Sequence, residues 1–153
     1  MADKLTEEEK VIVEKHIPWT RLVADEDTLY DGKKVGILNF LRENRANMVM
    51  KPIGLYGGKN VAIGHEMTDA DWQEVLVTAL KEKYVAQEYI PIPEIDLPVY
   101  DEKGLHFEPK KVNMNFFAFN GKYAGGMARV SDSSIINISA GGGLIPVMAA
   151  KKR

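Results

Sequence analysis

The sequence predicts an α+β fold, two helices leading into a mostly antiparallel sheet with a further helix packed on it. Three observations carry this. The hydrophobic period changes from helical to alternating near residue 46. Trp72, Val75, Leu76, Ala79 and Leu80 fall at i, i+3, i+4, i+7 and i+8, an amphipathic helical stripe. Asn120-Gly121 stands between apolar runs and supplies the two positive-φ residues of a type I′ hairpin turn.

In chain order, Thr6 followed three residues later by Glu9 is a capping-box spacing, with Glu7, Glu8 and Glu9 at the positive end of the helix dipole. A helix from about Glu7 to Lys15 follows and stops before Pro18. The segment onward to Tyr30 reads as loop. Val35, Ile37, Leu38 and Leu41 predict a second helix from about Lys33 to Asn44. Met48-Val49-Met50, the glycines around Lys59, and Val61-Ala62-Ile63 read as strand, turn, strand. Thr68 and Asp71 repeat the cap spacing ahead of the Trp72 helix. Tyr84 to Tyr89 is β-prone. Pro91, Pro93, Pro98 and Pro109 then predict a surface connector. Val112 to Val130 reads as a hairpin with a bulge at Gly125-Gly126, Ile135 to Ile138 as a short strand, and Gly141-Gly142-Gly143 as a backbone loop or phosphate nest. The expected divisions are 1–45, a helical lead-in; 46–90, a flap and hinge subdomain; 91–111, the connector; and 112–153, the hairpin and glycine-rich segment, or all of these as one domain.

Composition narrows the function. The chain has 153 residues, 45% hydrophobic, with 20 basic against 22 acidic side chains. That length can bury roughly 68 to 70% of the unfolded surface without staples. A net charge of −2 offers no basic excess for nucleic acid or an anionic bilayer. With no cysteine, disulfides, thiolate metal sites and thiol nucleophiles are excluded. The charged opening lacks a signal-peptide core, and no apolar run approaches the roughly 18 residues of a membrane span. A cytoplasmic protein that binds neither nucleic acid nor membrane is the expectation.

Gly57-Gly58-Lys59 fits phosphate binding, because phosphate oxygens approach backbone N–H groups closely where no Cβ intervenes and an ammonium neutralises them. On composition alone an ordinary Gly-Gly hairpin is the commoner reading of so short a motif. It is not a Walker A loop, since Gly54 to Gly58 encloses three residues rather than four and Asn60 stands where Ser or Thr is needed. Lys51, eight residues before Lys59, could share one anion cavity with it. Gln87-Glu88-Tyr89-Ile90 offers a strand edge to an adenine ring and an acid to ribose hydroxyls. Arg129 and Asn137 bring a bidentate anion clamp and an amide beside the three glycines.

Met50-Lys51-Pro52, Tyr56-Gly57-Gly58-Lys59, Gln87-Glu88-Tyr89-Ile90 and Tyr123-Ala124-Gly125-Gly126-Met127-Ala128-Arg129, running on to Asn137 and Gly141-Gly142-Gly143, stand in an order that resembles the circularly permuted ATP-grasp superfamily. That group includes relatives of glutathionylspermidine synthase. Pro18-Trp19-Thr20 looks like its lead-in, and the likeness covers residues 17–147. The resemblance implies an ATP-grasp-like lobe and an ATP-dependent carboxylate–amine ligase that works through an acyl-phosphate. It further implies Lys51 and Lys59 on the phosphates, Gly57 and Gly58 as the flap, and Gln87, Glu88, Tyr89 and Ile90 around the adenine. Arg129 would clamp the transferring phosphoryl group and Asn137 would contact substrate, phosphate or metal. ATP and Mg²⁺ are the implied cofactors, with an acid and an amine as substrates.

Asn60 departs from the glycine common after the flap lysine, though asparagine tolerates positive φ. Near Asn137 only Asp132 could hold a hard Mg²⁺, which usually takes carboxylates. The expectation is therefore a fragment inactive alone, whose partner is the rest of a larger chain or a sister copy. The alternative is a non-catalytic ATP-grasp-derived binding module. His16, His65 and His106 have no metal-ligand spacing. Phe116, Phe117 and Phe119 are expected to pack, Tyr56 to close over a nucleotide or cover the sheet, and Lys151-Lys152-Arg153 to be a solvated tail.

Overall fold

The computed structural model describes residues 4–138 and 141–147. The chain forms two compact units, Met1–Ile90 and Pro91–Arg153. The architecture is α+β with antiparallel strand pairing throughout the described sheets.

In the first unit, Thr6 caps α1 (Glu7–His16) with both arms of a capping box, and Ile17 ends it in extended geometry ahead of Pro18. The helix buries none of its residues. β1 (Thr20–Leu22) follows, then β2 (Asp27–Tyr30) and β3 (Lys33–Gly36), which pair as a hairpin. This corrects two expectations, a loop to Tyr30 and a helix from Lys33. Asp31 at φ 48 and Gly32 at φ 71 make the two-residue turn that closes Tyr30 onto Lys33. Helix α2 is consequently short, Ile37–Glu43.

β4 (Met48–Pro52) and β5 (Ala62–Ile63) flank the glycine turn, where Gly54, Gly57, Gly58 and Asn60 all have positive φ. Thr68 caps α3 (Asp69–Glu82), accepting from the Asp71 N–H at 3.2 Å. β6 (Tyr84–Glu88) then inserts between β1 and β4, giving the order β1-β6-β4-β5.

One face of this sheet packs on the helices. Trp72, Leu76 and Ala79 of α3 join Ile37, Phe40, Leu41, Met48, Met50, Tyr84 and Ala86 in the core, as the α3 stripe predicts for its inner positions. Leu80 lies at its rim, 46% exposed. The Trp72 indole stays buried because its N–H donates to the Leu41 carbonyl at 2.9 Å. Gly64 has no substitute, since any Cβ there would overlap the Arg45 carbonyl.

The second unit is an antiparallel sheet in the order β10-β9-β8-β7. β7 (Glu94–Asp101) and the first half of β8 (Gly104–Phe119) occupy the stretch expected to be a connector. Pro91 and Pro93 lie ahead of β7, whereas Pro98 and Pro109 are tolerated because each sits where only one side of its strand is paired. Pro98 is on the edge strand β7, and Pro109 precedes Lys111, where pairing with β9 (Lys122–Ser131) begins. Asn120 at φ 54 and Gly121 at φ 73 form the expected turn, and the register slips at Phe117/Ala118 opposite Gly125.

Ile135 to Ile138 is not a strand; the Asn137 N–H bonds back to the Ile135 carbonyl in a tight turn. Instead β10 (Gly143–Ile145) begins inside the glycine run and pairs with β9. Gly142 permits this approach, since a Cβ would lie 2.8 Å from the Asn137 carbonyl oxygen and 2.9 Å from that of Val130. Among the described residues of this unit only Val112, Ala128 and Ser131 are buried. Phe116, Phe117 and Phe119, expected to pack, are exposed because this sheet has no helix laid against it within its own unit. Lys151-Lys152-Arg153 lies outside the described residues.

Candidate functional site

Strand alternation separates the two faces of the first sheet. Met48, Met50 and Ala86 face the core, so Lys51, Gln87 and Thr20 share the opposite face. Thr20, Gln87 and Val49 stand in one register row, with Lys51 two residues along β4 from Val49. The side chains form a continuous chain. The Lys51 ammonium donates to the Gln87 amide oxygen. Gln87 Nε2 donates to Thr20 Oγ1 at 2.9 Å, and the Thr20 hydroxyl donates to the Pro18 carbonyl at 2.9 Å.

Lys51 is half-buried, and burial holds its ammonium below the usual lysine range. Among the described residues no carboxylate pairs with it. Lys110 differs: Asp132 at 2.8 Å and Glu108 at 2.7 Å neutralise it and raise its pKa. The Lys51 ammonium therefore has no compensating carboxylate among the described residues and sits in a partly dry setting, where attraction to an anion exceeds that in bulk water.

Lys59 lies in the glycine turn, its ammonium 5.2 Å from the centre of the Tyr56 ring, and that ring is 78% exposed. Gly57 at φ 72 and Gly58 at φ 77 give the turn a backbone that residues with a Cβ rarely adopt.

The rest of the 87–90 segment is divided. Gln87 faces Lys51, whereas Glu88 points to the core side, accepting from the Tyr30 hydroxyl at 2.7 Å and the Trp19 N–H at 3.1 Å. Its carboxylate is thus already committed, and the bond it accepts raises the Tyr30 pKa. Tyr89 stacks edge-on with His65 at 4.4 Å while its N–H bonds the Asn47 carbonyl at 2.8 Å. Ile90 is exposed and, with Glu88, Trp19, Arg21, Tyr30 and Ile17, lines a groove of about 1340 Å³ beside α1. Neither Lys51 nor Gln87 borders that groove.

In the second unit Arg129 on β9 faces Asn113 and Asn115 on β8, its Nη2 donating to both amide oxygens at 3.2 Å. Its Nε is buried without an acceptor. No carboxylate among the described residues pairs with this guanidinium. β10 runs beside it, Leu144 opposite Arg129, and the backbone of Asn137 is tied in through Gly142 N–H at 3.0 Å. Lys51 and Arg129 thus share one device, a cation oriented by neutral amide oxygens. Asn113, Asn115 and Thr20 escaped the sequence reading of the site; the Asn-x-Asn alternation ahead of the hairpin was the available signal for the first two.

The described residues contain no group of three or more His, Cys, Asp or Glu able to hold a metal ion. The acceptors around Arg129 are amides, so the residues present do not fit a hard Mg²⁺. No described helix is long and apolar enough to cross a membrane. No protein-family model matches this chain, and no curated protein matches it either.

Proposed function

We propose that this chain is the nucleotide-binding part of an ATP-dependent carboxylate–amine ligase of the ATP-grasp kind, inactive by itself. The observation that carries the reading is the half-buried Lys51 ammonium, held by the neutral Gln87 amide and left without a carboxylate. A buried charge without a counter-ion is costly, and an arriving phosphate offsets that cost. In the reaction so inferred, a substrate carboxylate oxygen attacks the γ-phosphorus of ATP and ADP leaves. An amine then attacks the acyl carbon and inorganic phosphate departs.

Lys51 binds the phosphates. Lys59 leaves Tyr56 to join them from the Gly57-Gly58 turn. Within the second unit Arg129, oriented by Asn113 and Asn115, is the cation suited to a phosphoryl or acyl-phosphate group, and Asn137 is the residue suited to substrate. Cations placed where charge develops are worth about 3 to 4 kcal/mol each in such chemistry. Carboxylates for magnesium would come from the remainder of a larger chain or from a second copy.

Thermal unfolding with ATP tests this. At about 100 times its dissociation constant a ligand adds about 2.7 kcal/mol. For a chain this long that is a rise of roughly 5 to 11 °C. The rise should vanish in Lys51→Ala. No shift in the wild type at millimolar ATP overturns the reading, and turnover by the purified chain overturns its inactivity.

One observation favours a second reading, a non-catalytic binding module. Tyr100, Phe107, Phe116, Phe119 and Tyr123 are all exposed on the second unit's sheet, and large exposed apolar side chains of this kind gather at interaction surfaces. Self-association without nucleotide, measured by sedimentation, would support it.

A further inference from the structure

The Thr20–Gln87–Lys51 chain has a direction that its two ends dictate. A carbonyl only accepts and an ammonium only donates. The Pro18 carbonyl therefore takes the Thr20 proton, which leaves Thr20 Oγ1 to accept from Gln87 Nε2. With its nitrogen so engaged, the Gln87 amide must present oxygen to Lys51. Each group is partly buried, so the bonds are not freely exchanged for water. If Thr20 did not accept, the amide could turn and offer Lys51 an N–H₂, which repels an ammonium.

We propose that Thr20, a residue without contact to Lys51, positions that ammonium for its anion by fixing which way the Gln87 amide faces. The inference rests on Lys51 being the anion contact and adds a residue that selects its orientation. An amide oxygen aims the ammonium without neutralising it, and one of the three ammonium protons is enough for that, leaving two for a phosphate oxygen pair. The hydroxyl of Thr20 is the required atom; its methyl group is not.

The test is isothermal titration of the full chain with ATP and with inorganic pyrophosphate, in the wild type, Lys51→Ala, Thr20→Val and Thr20→Ser. Val keeps the shape of Thr and its β-branching but cannot accept a hydrogen bond. Thr20→Val should weaken binding of both probes by roughly fivefold, the worth of one such bond, while Thr20→Ser restores affinity to within about twofold of wild type. Thr20→Val binding like wild type, or Thr20→Ser as weak as Thr20→Val, overturns the proposal.

If neither probe binds the wild type, the ligase reading fails and the side-chain amide signals of Gln87 decide the positioning alone. Slow solvent exchange of the Gln87 Nε2 protons in wild type and Thr20→Ser, speeded severalfold in Thr20→Val, upholds it. Unchanged exchange in all three overturns it.

Discussion

Tyr30 donates its hydroxyl to Glu88 Oε1 at 2.7 Å, joining the tip of the β2–β3 hairpin to the end of β6 across 58 residues of sequence. The ring also packs against Phe40 at 4.4 Å and Trp19 at 5.6 Å. Tyr30→Phe keeps these ring contacts and removes only the bond to a charged acceptor. The expected loss is about 1 to 2 kcal/mol, toward the lower part of the range for such bonds because the pair is partly solvated. At about 2 to 4 °C per kcal/mol the melting temperature should fall by roughly 2 to 8 °C, measured by circular dichroism.

Lys51→Met separates stability from ligand binding. The substitution removes a half-buried charge and keeps the length of an apolar stem. Chemical denaturation should show stability unchanged or raised by no more than about 1 kcal/mol, the gain being limited by solvent screening of a half-exposed group. ATP affinity should be lost in the same variant. A destabilisation above about 2 kcal/mol would mean that Lys51 serves the fold instead.

The second unit has a charge ladder whose strength depends on pH. His106 is raised above its ordinary value of 6.5 chiefly by its bond to Glu108 and next by the Gly104 carbonyl. Its contribution is complete below 6.5 and disappears as pH rises through the elevated folded value. Glu108 is lowered from 4.5 to about 2, first by Lys110 and then by His106. Its contribution is complete above 4.5 and disappears as pH falls toward about 2. Both are therefore fully engaged between these bounds. Proton NMR should place the His106 midpoint above 6.5 in the wild type and lower in Glu108→Gln.

Arg129 responds to the sign of its neighbours. Asn115→Asp replaces an amide oxygen 3.2 Å from Nη2 by a carboxylate of nearly the same shape. The guanidinium is then neutralised in place. Stability should rise by about 0 to 1 kcal/mol, while pyrophosphate affinity attributable to Arg129 falls by roughly tenfold, a loss of about 1.4 kcal/mol. Titration of Asn115→Asp beside Asn115→Ser distinguishes charge from lost packing, since Ser removes the acceptor without adding charge.

Elements whose cause is local were legible in the sequence. The caps at Thr6 and Thr68, the inner stripe of α3 and the Asn120-Gly121 turn each depend on residues within a few positions of one another. The β2–β3 hairpin was not, because Val35 falls into step with Ile37, Leu38 and Leu41 and extends their helical period backwards across a strand. The Asp31-Gly32 turn was its only local mark. β7 was hidden by prolines whose tolerance depends on which side of the strand is left unpaired, a matter of sheet order. Ile135 to Ile138 has the composition of a strand, yet the edge of β9 is taken by Gly143–Ile145.

The sequence by itself determined where Lys51, Lys59 and Arg129 occur, that Gly54, Gly57 and Gly58 lie between the first two, and that the chain is a mixture of helix and strand. Only the tertiary structure decided which cations have a carboxylate partner and which do not. Lys51 meets Gln87 across 36 residues, and Lys110 meets Asp132 across 22. One partner is a neutral amide and the other a carboxylate. Whether a charge is compensated depends on desolvation and on neighbours brought within a few ångströms by strand order, and neither quantity is written in the spacing of residues along the chain.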